Sequence, residues 1–183
     1  KRYGLAIKTP VVVKLAQPLV EGPPPPPKEP GVLGIMAWSL HMRYWAWSAA
    51  REQSDLPADI RMFVTFHDPK KHSGGHDSLA IREGLIGIVN AFASKRHLRR
   101  NNVIIAHETL HTVGATDKYD FSSNLPIFPE GYAEPDASPR YPQRLAEIMG
   151  GRRPVSANSA AMPKSLKKVV VGATTALEIR WTQ

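Results

Sequence analysis

The sequence predicts an α+β fold in which a long helix backs a small mixed sheet, a second helix carries a functional site, and a loop-rich C-terminal subdomain ends in a helix. Three observations predict this fold. Residues 32–53 contain no helix breaker after Gly34 and are apolar around most of the circumference, which indicates a helix largely buried against a sheet. Residues 60–67 alternate with a period of two, as a strand does. Residues 85–93 form the continuous apolar run of a strand covered on both faces.

The N-terminal part of the chain differs in composition from the rest. Residues 3–15 alternate in two short runs on either side of Pro10, which predicts one broken strand or two short ones. Residues 18–30 are rich in proline, and five prolines are consecutive at 23–27, so we expect an extended polyproline II spacer. We therefore divide the chain into an arm and spacer at residues 1–30 and a domain at residues 31–183. The arm is also a candidate to cover the site as an inhibitory segment.

Residues 102–117 contain the motif around which the domain is organised, with His107, Glu108 and His111 in the spacing H-E-x-x-H. On a helix, positions i and i+4 differ by about 40° around the axis, so the two histidines project side by side. Gly114 allows the helix to stop and the chain to turn, because glycine adopts positive φ without strain. Asp117 can then return as a third ligand. Two imidazoles and a carboxylate leave the fourth tetrahedral position of a catalytic zinc open.

The helix that carries this motif is predicted independently of the chemistry. Asn101 or Asn102 is a suitable N-cap, and residues 94–100, which hold four basic side chains, are expected to form a solvated turn before it. Apolar residues then recur at steps of three and four along one face, as a helix packed on a sheet requires. They are Val103, Ala106, Leu110 and Val113.

The pattern H-E-x-x-H-x-x-G-x-x-D resembles the zinc signature of the metzincin metallopeptidases, in the variant where Asp replaces the third His, as in the snapalysin-like group. Metzincins also carry a methionine turn beneath the metal, and residues 146–151, with Met149, are similar to it. The long spacer before Met149 and the lack of a tyrosine directly after it depart from the family. The resemblance covers residues 101–117 and 146–151. It implies a zincin-like fold and a peptide extended along an edge strand, for which residues 60–67 are our candidate.

Motif and resemblance together predict a zinc endopeptidase with a peptide or protein substrate. His107, His111 and Asp117 are expected to bind Zn²⁺, which lowers the pKa of its water and polarises the substrate carbonyl. Glu108 is the expected catalytic residue, because it can take a proton from the attacking water and pass it to the leaving amine.

Three alternatives remain open from the sequence. Glu147 can replace Asp117 as third ligand, as the later glutamate does in gluzincins. The loop residues His72, His76 and Asp77 form a looser second group of metal donors. Finally, the domain can be a catalytically vestigial basic binding module at a membrane surface or nucleic acid.

The segment after the motif is expected to wall the substrate cleft. Residues 118–142 contain five prolines and no periodicity, which is typical of a stiff functional loop. Its three tyrosines are candidates to donate a hydrogen bond to the transition state: Tyr119, Tyr132 and Tyr141. Residues 143–149 are expected to form a short helix, and the apolar spacing from Ser165 onward predicts a C-terminal helix.

Charge and composition restrict the environment of the protein. A net charge of +8 and a pI of about 9.9 favour an anionic partner, such as a membrane surface. The absence of any base-reading motif argues against nucleic acid, and the absence of cysteine excludes a disulfide framework and cysteine ligands. Residues 31–50 could span a bilayer by length, but His41 and Arg43 at the centre favour a helix of a soluble domain. We expect a periplasmic or other extracytoplasmic domain, tethered through a segment that precedes Lys1.

Overall fold

The computed structural model describes residues 3, 11–27, 31–52, 58–71, 79–81 and 85–182. They form a small mixed α/β protein with three α-helices and small sheets in the described part of the chain. The helices are α1 (Val32–Glu52), α2 (Leu98–Thr112) and α3 (Ala173–Glu178). The strands are β1 (Arg61–His67), β2 (Leu79–Ile81), β3 (Ile86–Phe92), β4 (Ala146–Glu147), β5 (Arg153–Ser156), β6 (Ser159–Ala161) and β7 (Val169–Val170).

The main sheet has the strand order β1-β3-β2, with β3 parallel to β1 and antiparallel to β2. The predicted mixed sheet and its two longer strands are therefore confirmed. Side chains of a strand point alternately to opposite faces. Ile86 packs against α1. The adjacent Gly87 faces α2, because a Cβ atom added to it would lie 3.8 Å from Thr112 Cγ2 of that helix. The two long helices therefore cover opposite faces of the sheet.

Helix α1 confirms the predicted long helix, but the expectation that it is largely buried is wrong. Met42 and Ala46 are buried against Ile86, and the ring of Trp45 lies 4.6 Å from that of Phe63. The opposite face is exposed and carries Leu33, Met36, Leu40, Tyr44 and Trp47. One sheet can cover only one side of a helix, so the second apolar side lacks a partner among the described residues. No helix in this part of the chain is both long and apolar enough to cross a membrane.

Residues 11–27, which include most of the proline-rich spacer, have no regular secondary structure, and the strand expected near residues 11–15 is absent. The spacer nevertheless contacts the domain, because Trp38 Nε1 donates a hydrogen bond to the carbonyl of Pro24 at 3.1 Å. Tyr3 donates from its hydroxyl to the carbonyl of Val171 at 2.7 Å. The rest of the predicted N-terminal strand, residues 4–10, lies outside the described residues.

The C-terminal part differs from the predicted helices. Residues 143–149 are not helical, because Ala146 and Glu147 pair in parallel with Val169 and Val170. The helix expected from Ser165 onward is replaced by a 3-10 turn and strand β7, and α3 begins only at Ala173. Three consecutive valines at 169–171 favour extended backbone, because β-branched side chains fit a strand better than a helix.

Glu147 joins strand β4 to the start of α3. Its side chain is fully buried, with Oε2 accepting a hydrogen bond from the Gly150 amide at 2.8 Å. Oε1 accepts from the Gly172 amide at 2.9 Å and from Thr175 Oγ1 at 2.8 Å. A carboxylate can remain buried only when its oxygens are satisfied in this way.

We predict that Glu147→Gln lowers the free energy of unfolding by about 2 kcal/mol, because the amide nitrogen cannot accept the bonds of the oxygen it replaces. Urea unfolding followed by circular dichroism measures the change. The exposed Glu130→Gln is the matched control and should stay within about 0.5 kcal/mol of wild type. Equal stability of both variants would contradict a structural role for Glu147.

Candidate metal centre

Helix α2 begins earlier than the sequence suggested, and the predicted N-cap at Asn101 or Asn102 is wrong. The helix starts at Leu98, and Asn101 is buried inside it. The Asn101 side chain instead closes the end of strand β3: Nδ2 donates to the Phe92 carbonyl at 2.9 Å, and Oδ1 accepts from the Phe92 amide at 3.3 Å. The expected solvated turn at residues 94–100 is therefore shorter and becomes helical at Leu98. These bonds fix the start of α2 against the sheet.

The predicted turn after His111 is confirmed. Helix α2 ends at Thr112, and Gly114 has a φ of 107°, which side chains with a Cβ rarely adopt. The Gly114 amide donates to the His111 carbonyl at 3.0 Å, and the Ala115 amide donates to the Leu110 carbonyl at 3.0 Å. The chain reverses here and returns Asp117 to the face of the helix that carries the histidines.

Three donor atoms converge at this point. His107 Nε2 lies 3.1 Å from His111 Nε2, and Asp117 Oδ1 lies 3.1 and 3.2 Å from the two nitrogens. Tetrahedral zinc with bonds of about 2.0–2.1 Å places its ligand atoms about 3.3–3.4 Å apart. The three atoms thus match one face of a tetrahedral site to within a few tenths of an ångström. This group could hold a metal ion.

Backbone carbonyls fix the two imidazoles so that their Nε2 atoms are available as ligands. His107 Nδ1 lies 2.9 Å from the Ile148 carbonyl, and His111 Nδ1 lies 2.8 Å from the Ala115 carbonyl. A carbonyl only accepts, so both Nδ1 atoms carry the hydrogen, and in a neutral ring Nε2 keeps its lone pair. When both rings are neutral, two lone pairs therefore face a carboxylate whose buried Oδ1 receives no hydrogen bond. A shared cation satisfies all three acceptors.

The charges of the group are strongly coupled. Burial by itself raises the pKa of Asp117, but hydrogen bonds and charge from His107 and His111 outweigh it and hold the pKa well below its usual range. Burial by itself lowers the pKa of His111, but the hydrogen bond with Asp117 and that with the Ala115 carbonyl outweigh it and raise the pKa. Asp117 is therefore ionised at neutral pH, and metal-free His111 holds a proton more tightly than an ordinary histidine.

Glu108 lies beside the metal donors at a cleft with a volume of about 160 Å³. Its side chain is buried, and burial raises its pKa, with Asp117 adding to the rise and His107 and His111 opposing it. The cleft is lined by Val103, Ile104, His107, Glu108, Tyr119 and Asn124, together with Ile148, Gly150, Gly151, Arg152 and Met162. Helix α2 and the segment around Gly150 thus form its two sides, and none of residues 11–27 lines it.

Only one of the three candidate tyrosines lines the cleft. The ring of Tyr119 lies 6.4 Å from that of His107. Tyr132 and Tyr141 are hydrogen-bonded to each other, with their hydroxyl oxygens 2.9 Å apart. Burial, followed by the hydrogen bond with Tyr141, raises the pKa of Tyr132 to about 12. The expected role as a transition-state donor therefore remains only for Tyr119.

The segment 146–151 lies beneath the histidines. A tight turn is closed by the Gly151 amide, which donates to the Ile148 carbonyl at 3.2 Å. Met149 is fully buried in this turn and belongs to a core cluster that also contains Ala115, with Leu110 of α2 packed against it. The same turn therefore holds the His107 ring and fills the space under the helix end.

Glu178 of α3 holds the two residues that flank Asp117. Its Oε2 accepts from the Thr116 amide at 3.0 Å and from Lys118 Nζ at 2.7 Å, and its Oε1 accepts from Thr116 Oγ1 at 2.6 Å. Sequence reasoning missed this contact, because a glutamate 61 positions after Asp117 carries no local signal. The third donor is thus positioned by the C-terminal helix.

Two alternative ligand assignments have different outcomes. Glu147 is not part of the donor group, because both of its oxygens are engaged by Gly150, Gly172 and Thr175. His72, His76 and Asp77 lie outside the described residues. Among the residues that the structure does describe, His107, His111 and Asp117 are the group that could hold a metal ion.

No protein-family model matches the chain, and neither the curated proteins nor the solved structures contain a significant match to it. The assignment of the centre therefore rests on its donor atoms and their geometry.

We predict that wild type binds one zinc ion per chain. Asp117→Ala should lose most of this zinc, because two imidazoles alone supply only two of the three donor atoms of the site. Mass spectrometry of purified, zinc-reconstituted protein measures the content. The exposed Asp136→Ala is the matched control and should keep full stoichiometry. Retention of zinc by Asp117→Ala would overturn the assignment of Asp117.

We also predict that zinc affinity rises with pH by up to about tenfold per unit through neutrality, because the metal displaces a proton from His111. The pKa of His111 lies above its ordinary 6.5, so its proton stabilises the metal-free fold below pH 6.5, and this contribution is lost as the pH rises through the raised pKa. Asp117 is ionised throughout this range. Chelator competition at several pH values measures the slope. Asp117→Asn should move the rise in zinc affinity to lower pH. A zinc affinity that does not change with pH would contradict the coupling between metal binding and the His111 proton.

Proposed function

We propose that the protein is a zinc-dependent peptidase that cleaves internal peptide bonds, with a metzincin-like arrangement of its site. The observation that carries the proposal is the triangle formed by His107, His111 and Asp117 beside Glu108 at the edge of an open cleft. A structural zinc site is closed by four protein ligands, whereas three ligands beside a cleft are typical of a catalytic one.

The donor set favours zinc over other common metal ions. Mg²⁺ and Ca²⁺ take oxygen ligands in sets of six or more, whereas two imidazoles and one carboxylate are a frequent ligand set of catalytic zinc. When bound, zinc supplies a Lewis acid that polarises a carbonyl and makes a water molecule acidic near neutral pH. His107, His111 and Asp117 are the residues that would hold it.

Glu108 is the proposed general base. It directly follows His107 on α2, and both residues line the cleft, so its carboxylate and one of the metal donors border the same space. Burial raises the pKa of Glu108 towards the range in which a carboxylate can both accept and return a proton. Glu108 takes the proton from the attacking water and delivers it to the amine that leaves as the peptide bond breaks.

The turn after the helix and the buried methionine also support a metzincin-like arrangement. The chain turns at Gly114 as the signature requires, and Met149 lies in a tight turn under the end of α2. The expected position of the substrate needs a revision, however. Strands β1 and β2 are both edges of the described sheet, but α2 packs mainly on β3 and β2. We therefore assign the extended substrate to the edge at β2 rather than to residues 60–67.

We predict that Glu108→Gln keeps its zinc but lowers kcat by at least about 10²–10⁴-fold, because the amide cannot accept the proton of water. Mass spectrometry of a digested peptide mixture measures cleavage, and metal content is measured on the same sample. Glu130→Gln, which is exposed and outside the cleft lining, is the matched control and should cleave at the wild-type rate.

Two results would overturn the proposal. The first is full activity of Glu108→Gln, which would remove its general base. The second is the absence of any hydrolysis by zinc-loaded wild type, which would favour the vestigial binding module that the basic composition also permits.

A further inference from the structure

The outer face of helix α1 carries a stripe of large apolar side chains. Leu33, Met36, Leu40, Tyr44 and Trp47 recur at steps of three and four, so they lie along one side of the helix. Their exposed fractions are 81%, 57%, 68%, 66% and 52%. We call these five residues the α1 stripe. The core side of the same helix, at Met42 and Ala46, is already covered by the sheet.

The α1 stripe differs from the scattered apolar residues that soluble surfaces ordinarily carry. Single exposed apolar residues are ordinary, but contiguous apolar patches on soluble monomers are small and commonly mark interaction sites. Two of the five residues are aromatic rings with a polar edge, Tyr44 and Trp47, and such side chains concentrate where an apolar phase meets water.

Charge decides which partner fits the α1 stripe. Arg43 and Arg51 are exposed on the same helix, and the Arg51 guanidinium lies 4.8 Å from the ring of Trp47. The helix contains no acidic residue before Glu52. Residues 32–51 of a second copy would offer two more arginines and no carboxylate, whereas anionic lipid headgroups supply the counter-charge. The net charge of +8 acts in the same direction.

We propose that α1 binds the surface of an anionic membrane, lying in the plane of the interface with the α1 stripe among the acyl chains and Arg43 and Arg51 at the headgroups. Arginine can keep its charge in the headgroup layer while its aliphatic part follows the apolar surface. The helix lies on the membrane and does not cross it, because its other side is packed on the sheet. The metal centre is on the opposite face of the sheet and stays accessible to water.

Vesicle co-sedimentation tests this proposal with the full chain and two lipid compositions, pure phosphatidylcholine and an equal mixture of phosphatidylcholine and phosphatidylglycerol. We expect binding to the anionic vesicles and a blue shift of tryptophan emission that is reduced in Trp47→Phe. Leu40→Glu should lower the partition coefficient by at least about tenfold. Arg43→Gln combined with Arg51→Gln should lower it by about 30-fold on the anionic vesicles.

The matched control is Leu177→Glu, which places the same change on α3 at a residue that is 57% exposed. It should bind vesicles as wild type does, and zinc content should be unchanged in all variants, which confirms that they fold. Failure of wild type to bind anionic vesicles would overturn the proposal. So would a concentration-dependent dimer that Leu40→Glu abolishes without vesicle binding, because the stripe would then be a contact between copies. Neither result depends on peptidase activity.

Discussion

The convergence of three hydrogen-bond acceptors on one point is the constraint on which the rest of the structure depends. With both rings neutral and no cation bound, the lone pairs of His107 and His111 would face the ionised Asp117, an arrangement that folding alone does not favour. The structure maintains this arrangement through contacts that hold each of the three donors against a different part of the chain. The Ile148 carbonyl orients one ring, the turn after α2 orients the other, and Glu178 clamps the residues on both sides of Asp117.

The C-terminal part of the chain therefore acts as a support for the site. Buried Glu147 joins β4, the turn after it and the start of α3 into one unit through three hydrogen bonds. That unit supplies both the Ile148 carbonyl and Glu178, so its position sets the distances between the donors. A metal ion bound only by the folded arrangement stabilises this unit in return, which couples metal binding to the stability of the C-terminal part.

Patterns within short stretches of sequence predicted the elements that depend on local interactions. They failed for the elements whose structure depends on a residue distant in the chain. The two longer strands, both long helices and the turn at Gly114 follow from periodicity and backbone chemistry, and the structure confirms them. Asn101 has the composition of an N-cap, but its side chain is captured by Phe92 of the central strand. Residues 143–149 are predicted to form a short helix, yet Ala146 and Glu147 within them pair with a strand more than twenty positions later. A short stretch of sequence contains neither that pairing nor the contact of Glu178 with the residues beside Asp117.

Helix α1 exposes a further limit of periodicity. Because it is apolar around most of its circumference, its sequence predicts burial on all sides. Only the structure, with a single sheet beneath the helix, reveals that the other side has no partner among the described residues. The stacking of α1, sheet and α2 separates the two functional surfaces by the thickness of the sheet. In the arrangement that we propose, α1 is held at a lipid surface while the opposite helix, α2, presents its metal donors to a peptide in water. The strands between the two helices would then keep the cleft turned away from the membrane.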